Sequence, residues 1–130
     1  MASKIIRQHI TVNSNPDEIY DVFLDSKKHT SFTGSKAKMS KRIGGTFTVF
    51  DGYASGRNLE LISNEYIRQS WRASNWPENC VSEISLELEK SHLGTRITFI
   101  HKNIPDKFYD SIKDGWKNYY WTPLKLYFKK

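Results

Sequence analysis

Ser82-Glu83-Ile84-Ser85-Leu86-Glu87-Leu88-Glu89 alternates polar and apolar side chains without a break. A period of two marks a strand buried on one face, with Ile84, Leu86 and Leu88 inward and Glu83, Ser85, Glu87 and Glu89 toward water. Shorter runs of the same kind lie on both sides: Thr46-Phe47-Thr48-Val49-Phe50, Arg57 to Leu61, Tyr66 to Ala73, and Thr95 to His101. Asp51-Gly52 and Gly56 link the first two, and Asp-Gly between alternating runs is a hairpin signal. Gly44-Gly45 reads as a bulge or the start of a strand. Strands in series with short connections imply an antiparallel meander.

A sheet with one oily face needs a cover. After Pro105, Phe108, Ile112, Trp116, Tyr119, Tyr120, Pro123 and Tyr127 recur at helical spacing. Asp106, Asp110 and Asp114 fall on the opposite face, which reads as solvated surface. Gly115 lies beside Trp116, and an interior glycine costs about 1 kcal/mol of helix stability, so a close neighbour is expected there. Pro123 should kink the helix or end its regular part. At the other end, Ile6 to Val12 reads as a first strand. Asn15 then suits an N-cap, Pro16 the first helical position, and Glu18, three after Asn15, comes close to a capping box. A short helix to about Asp25 and a second short helix or turn over 26–34 follow. The expected fold class is α+β: a helix-grip domain over 1–130, with a curved antiparallel sheet of about six strands around a long C-terminal helix and two short helices after the first strand.

The 130 residues suit one domain of the usual size, roughly 100–150 residues. No run reaches the ~18 apolar residues of a membrane span. Met1 to Arg7 lacks the apolar stretch of a secretory signal, and Cys80 is the single cysteine, so a reducing cytoplasm is the expected location. Lys and Arg number 20 against 14 Asp and Glu, a net +6. The whole excess lies in residues 27–42, where Lys27, Lys28, Lys36, Lys38, Lys41 and Arg42 occur with no acid. Such a run is either solvated surface or a patch that steers toward an acidic partner. Nucleic acid is a third option, although no RNA-binding aromatic motif accompanies the lysines.

Catalytic and cofactor signatures are missing from the pattern. His9, His29, His92 and His101 show no metal-ligand spacing and read as surface or half-buried groups. Gly34-Ser35-Lys36 lacks the upstream glycine of a P-loop, and there is no GxSxG elbow. No cofactor or metal is implied, and no enzymatic activity is expected. The 4 Trp, 7 Tyr and 7 Phe make up 14% of the chain. Most should fill a core with Val49, Leu59, Leu61, Ile84, Leu86, Leu88, Ile97 and Ile112. An alternative places Trp71, Trp76, Trp116, Tyr120 and Phe47 around a pocket between sheet and last helix, with Arg72 or Gln69 as polar contacts. Trp76-Pro77, in a loop, could equally be an exposed anchor for a partner.

The order of these pieces resembles a known family. Asn15-Pro16-Asp17-Glu18-Ile19-Tyr20, Gly44-Gly45-Thr46-Phe47, Asp51-Gly52 with Ser55-Gly56, Trp71-Arg72, Trp76-Pro77-Glu78, Gly94-Thr95 and Gly115-Trp116 carry the likeness, from about Ile5 to Phe128. Together they are similar to the C-terminal domain of the activator of heat-shock-protein-90 ATPase, within the START-like helix-grip (SRPBCC) superfamily. The two-domain activator has a further N-terminal domain, and the likeness covers only its second half. The resemblance implies a non-enzymatic, co-chaperone-like partner of an Hsp90-type chaperone and ranks an acidic protein above nucleic acid; the basic run 27–42, with exposed aromatics, is then the expected contact surface for that chaperone or another acidic partner. The wider superfamily implies an alternative, a carrier of a hydrophobic small molecule such as a lipid or polyketide, with some cyclases among its members. Shared fold alone does not choose between them.

Overall fold

In the computed structural model, which describes residues 3–129, six strands form one antiparallel sheet. They are β1 (Ser3–Val12), β2 (Thr46–Val49), β3 (Ala54–Ile62), β4 (Tyr66–Ala73), β5 (Ser82–Ser91) and β6 (Gly94–Pro105), in the order β1-β6-β5-β4-β3-β2. The last five follow one another as a meander. β1 pairs with β6, so the chain must pass from one edge of the sheet to the other before β2. Helices α1 (Pro16–Leu24) and α2 (Ser26–Thr33) make that passage. The C-terminal helix runs through a 3-10 turn (Asp106–Phe108), α3 (Tyr109–Trp116), a π-helical turn (Lys117–Trp121) and α4 (Thr122–Tyr127). This is the expected helix-grip α+β architecture. No helix among the described residues is long and apolar enough to cross a membrane.

Between sheet and helices lies a core that includes Ile6, Ile19, Ile67, Leu86, Ile97, Phe99, Ile104 and Leu124, all nearly inaccessible. Phe50, Asp51 and Gly52 all adopt positive φ in the β2–β3 turn. At the start of α1 the capping differs from expectation. Asn15 makes no side-chain cap; its Oδ1 accepts from Lys90 Nζ at 3.0 Å, while Ser14 Oγ donates to Glu18 Oε1 at 2.8 Å.

Three departures from simple periodicity shape the interior. The first is in β3, where Asn58 pairs with Gln69 but Glu60 with Arg68, so that Leu59 is the extra residue of a bulge. Leu59 is therefore half-buried and outside the core, and Leu61 packs only at its margin. Asn58 takes the inward position at 1% exposure. The second is in β6, where the register slips between His101 and Ile104 and Asn103 adopts a positive φ of 64°.

The third lies in the C-terminal helix. The amide of Thr122 donates to the carbonyl of Lys117, five residues back, which widens one turn and advances the buried face by a residue. After Trp116 the buried positions are Tyr120, Trp121 and Leu124. Tyr119 and Tyr127, expected on the apolar face, are exposed. Pro123 does not end the helix, because it falls in the first turn of α4 where a missing N–H is tolerated. Gly115 has no tight neighbour either: a Cβ there would meet only Tyr119 Cδ2 at 3.8 Å.

Asn58 spends its polar groups on the loop before β2. Its Nδ2 donates to the carbonyls of Ser40 (2.8 Å) and Arg42 (3.0 Å), and its Oδ1 accepts from Gln69 Nε2 (2.9 Å). Its backbone N–H donates to the Gly45 carbonyl, and its carbonyl accepts from Gly44 N–H. A Cβ on Gly45 would lie 1.9 Å from Ser40 Oγ, so only glycine lets the loop close this far. Asn58→Ala should cost about 2–4 kcal/mol, since buried carbonyls and the Gln69 amide lose partners together. Urea unfolding of the two proteins measures it; a loss below about 0.5 kcal/mol would mean that water replaces the amide at no cost.

Candidate ligand cavity and partner surface

Trp116 joins helix to sheet through hydrogen bonds that allow one arrangement of protons. The indole Nε1 can only donate, and it lies 3.0 Å from His101 Nδ1, which must therefore accept. The proton of His101 then sits on Nε2 and is donated to Ser82 Oγ at 2.7 Å, and Ser82 passes its own proton to the Trp71 carbonyl at 2.8 Å. His101 is thus neutral, and burial pushes its pKa down to about 3. His29 is buried as well, between α1 and the π turn, with Nδ1 3.1 Å from the Phe23 carbonyl and Nε2 3.1 Å from the Tyr120 hydroxyl. Nδ1 donates to the carbonyl, so Nε2 accepts from the tyrosine. Desolvation lowers its pKa to about 4, against a weaker opposing effect of the Phe23 bond. Two of the four histidines are thus fully interior, contrary to the expected surface or half-buried placement, because each finds hydrogen-bond partners inside.

Above Trp116 the grip opens into a cavity of about 540 Å³. Trp71 and Trp116 form its floor, Phe50 and Tyr53 of the β2–β3 turn one wall, and Ile112, Gly115, Tyr119 and Tyr120 of the last helix the other. Ser111, Asp114 and Asn118 stand along its helical side. The bare surface at Gly115 belongs to this opening. Tyr53 and Tyr119 are the accessible rings, Tyr119 at 61% exposure. Of the residues expected around a pocket, Trp71, Trp116 and Tyr120 face this space. Phe47 does not: it lies deeper, beside Gly56, where only about 10 Å³ remains free. Gln69 faces the same packed interior and is committed to Asn58.

Trp76 is neither a cavity wall nor an exposed anchor. It is 4% exposed and packs against Trp71 at 5.5 Å between ring centroids, with its Nε1 unpartnered among the described residues. Arg72 holds it there. The guanidinium donates to the carbonyls of Trp76, Pro77 and Cys80, closing the β4–β5 loop rather than facing the cavity. Phe50, Tyr53 and Tyr119 were missed by the sequence reading. The turn signal at Asp51-Gly52 could have found the first two, since residues flanking a hairpin turn project from the end of a sheet.

The basic residues of 27–42 are divided between α2, which carries Lys27 and Lys28, and the segment before β2, which carries the other four. Lys28 pairs with Asp21, and Lys41 lies 3.5 Å from both Asp21 and Asp25, so acids of and just after α1 neutralise two of the six. Lys27, Lys36, Lys38 and Arg42 are exposed and make no ion pair among the described residues. Lys36 and Lys38 lie along β2, the sheet edge. Lys38 and Thr48 exchange backbone hydrogen bonds of 2.9 Å, and the Lys36 carbonyl accepts from Asp51 N–H. A lysine-bearing cover of this kind blunts a strand edge. Arg42 rides on the loop tied to Asn58, next to Ile43, which is 65% exposed.

A family model described as Activator of Hsp90 ATPase homolog 1-like protein matches residues 13–129, and the chain belongs to this family. It is similar to the human Activator of 90 kDa heat shock protein ATPase homolog 1, with 29% identity over 118 residues, 91% of this chain and 35% of that one. A relative from Dictyostelium discoideum, Activator of 90 kDa heat shock protein ATPase homolog, is 28% identical over 104 residues, 79% of this chain and 27% of that one. The chain thus spans roughly a third or less of the length of these relatives. In fold it resembles the crystal structure of an HSP90 activator from Plasmodium falciparum, with a TM-score of 0.83 at 24% identity over 96% of this chain and 94% of that one. The solution structure of the Aha1 dimer from Colwellia psychrerythraea also has a TM-score of 0.83, at 21% identity over 97% of each chain.

Two outcomes follow from the buried histidines and Trp116. Unfolded, both histidines titrate near 6.5; folded, at about 4 and about 3. Below pH 6.5 the unfolded chain binds more protons, so stability falls as pH falls through this window. Each histidine should remove about 2 kcal/mol between pH 7 and pH 5, measured by urea unfolding at the two values; a flat profile would contradict neutral burial. Trp116→Ala should cost about 3–5 kcal/mol, because it leaves both a void and an unpaired His101 Nδ1. A loss below about 1 kcal/mol in the same assay would make Trp116 a loose cavity wall rather than the joint between helix and sheet.

Proposed function

We propose, from that membership, that the chain is a co-chaperone-like regulator of an Hsp90-type chaperone in the cytoplasm, raising the chaperone's ATPase rate by binding rather than by chemistry of its own. The observation that carries this reading is the family match across residues 13–129, with relatives named as activators of that ATPase. The charge distribution supports it. Lys27, Lys36, Lys38 and Arg42 present positive charge free of ion pairs among the described residues, and Asn58 holds the Arg42 loop in one shape before a partner arrives. A preformed basic surface speeds encounter with an acidic one and loses less entropy on binding. Ile43, exposed beside Arg42, supplies an apolar contact within the charged rim.

The cavity supports a second reading, a binding site for a hydrophobic small molecule. Its volume of about 540 Å³ falls in the range of ligand pockets, and its floor and walls are mainly aromatic. The two readings use different parts of the molecule and are compatible.

Titration of the chain into an Hsp90-type chaperone from the same organism, with ATP turnover measured at low and at physiological ionic strength, tests the first. The expected outcome is a saturable rise in rate whose midpoint moves to higher concentration with salt. Reversing Lys27, Lys36, Lys38 and Arg42 to Glu should weaken binding by about tenfold or more at low salt. Absence of both rate change and binding at low salt would refute the reading.

A further inference from the structure

The cavity wall has a charge character opposite to that of the chain. The molecule carries +6, yet no Lys, Arg or His lines this space, and its one ionisable acid is Asp114. The Asp114 carboxylate makes no hydrogen bond or ion pair among the described residues, although the backbone carbonyl accepts from Lys117 N–H. The neighbouring Lys113 is turned to another ring, its Nζ 5.8 Å from the centroid of Tyr109.

The aromatic walls are set at steep angles to one another. Phe50 meets Tyr119 at 68° with centroids 6.0 Å apart, and Tyr53 meets Trp71 at 69° and 6.4 Å. Trp71 and Trp116 are inclined at 46° and lie 5.8 Å apart. Trp116 is packed against Phe99 at 4.4 Å and Tyr120 at 4.6 Å, so the rings that offer most open surface to this space are Tyr53 and Tyr119, beside Phe50. The face of an aromatic ring carries negative potential and attracts a cation, most strongly for tryptophan. An aromatic lining with one carboxylate and no cationic side chain suits positive rather than negative charge.

On the reading of the cavity as a ligand site, we infer that it takes an organic ammonium ion with an apolar body, the cationic head held between aromatic faces and Asp114. A fully hydrated small cation would gain little from the rings, and an anion would meet Asp114 with nothing to offset the repulsion. A quaternary or tertiary amine is weakly hydrated, and its alkyl or aryl body accounts for the remaining volume.

Benzyltrimethylammonium, its neutral carbon isostere neopentylbenzene, and the anion phenylacetate serve as probes, read by the indole N–H signals of Trp71 and Trp116 in NMR titrations of the full chain. The ammonium should shift these signals saturably and bind about tenfold more tightly than the isostere. Phenylacetate should not bind. Asp114→Asn and Tyr119→Ala, both at exposed positions, should each reduce that preference by about threefold or more with unfolding midpoints unchanged. If the isostere binds as well as the ammonium, or Asp114→Asn leaves the preference intact, the cation assignment is overturned while the cavity survives as a hydrophobic site. If none of the probes moves either indole, the assignment and the small-molecule reading fall together.

Discussion

The hydrogen bond from Trp116 to His101 is the joint on which the grip depends. It ties the covering helix to β6, the strand next to the β1 edge, and it does so with directional groups rather than with apolar contact alone. Because indole is a donor only, the bond dictates the tautomer of His101. That tautomer dictates the direction of the Ser82 hydroxyl, and the hydroxyl ends on the Trp71 carbonyl in the neighbouring strand. Around this line Phe99, Trp71 and Trp76 pack at ring separations of 4.4–6.4 Å. A helix held only by oily contact could slide or roll; one held by a donor with a single acceptor has a defined rotation.

That rotation and the π turn beyond it decide which side chains are interior. The extra residue places Tyr120 and Trp121 side by side in the core, where Trp121 reaches Gln8 of β1 and Tyr120 reaches His29 of α2. The same shift turns Tyr119 outward to the rim of the cavity. A widened turn at such a place is a common device for aiming side chains. Here it also prepares the backbone for Pro123, so the proline that would have broken a regular helix sits at the beginning of a new one.

Polar groups in the interior are used sparingly and with clear purpose. Asn58 and Gln69 hold an exposed basic loop, Arg72 closes the β4–β5 loop over Trp76, and the two buried histidines bridge separate elements. The positive surface and the cavity are thereby fixed by different parts of the core: one by the bulge in β3, the other by the last helix and the β2–β3 turn. A protein partner and a small molecule could therefore be bound by the same chain without competing for residues.

The succession of strands along the chain, the two short helices and the covering helix follow from periodicity and turn signals, because a period of two or 3.6 is a property of local backbone geometry and is written directly in the spacing of apolar residues; the pairing of β1 with β6 does not. Ile84, Leu86, Leu88, Ile112 and Trp116 are interior for that reason. The aromatic floor of the cavity was likewise legible, since Trp71 and Trp116 fall on the inward faces of their elements. The rest depended on tertiary structure. Leu59 left the core because a bulge reversed the alternation within β3, and Tyr119 left it because one residue was added to a helical turn. Trp76 became interior because Arg72 bound three carbonyls from its loop, and two of the six basic residues lost their free charge to Asp21 and Asp25. Each of these turns on a single-residue offset or on a pairing between distant side chains. Periodicity averages over the first and carries no information about the second, so both were decided only when the chain packed.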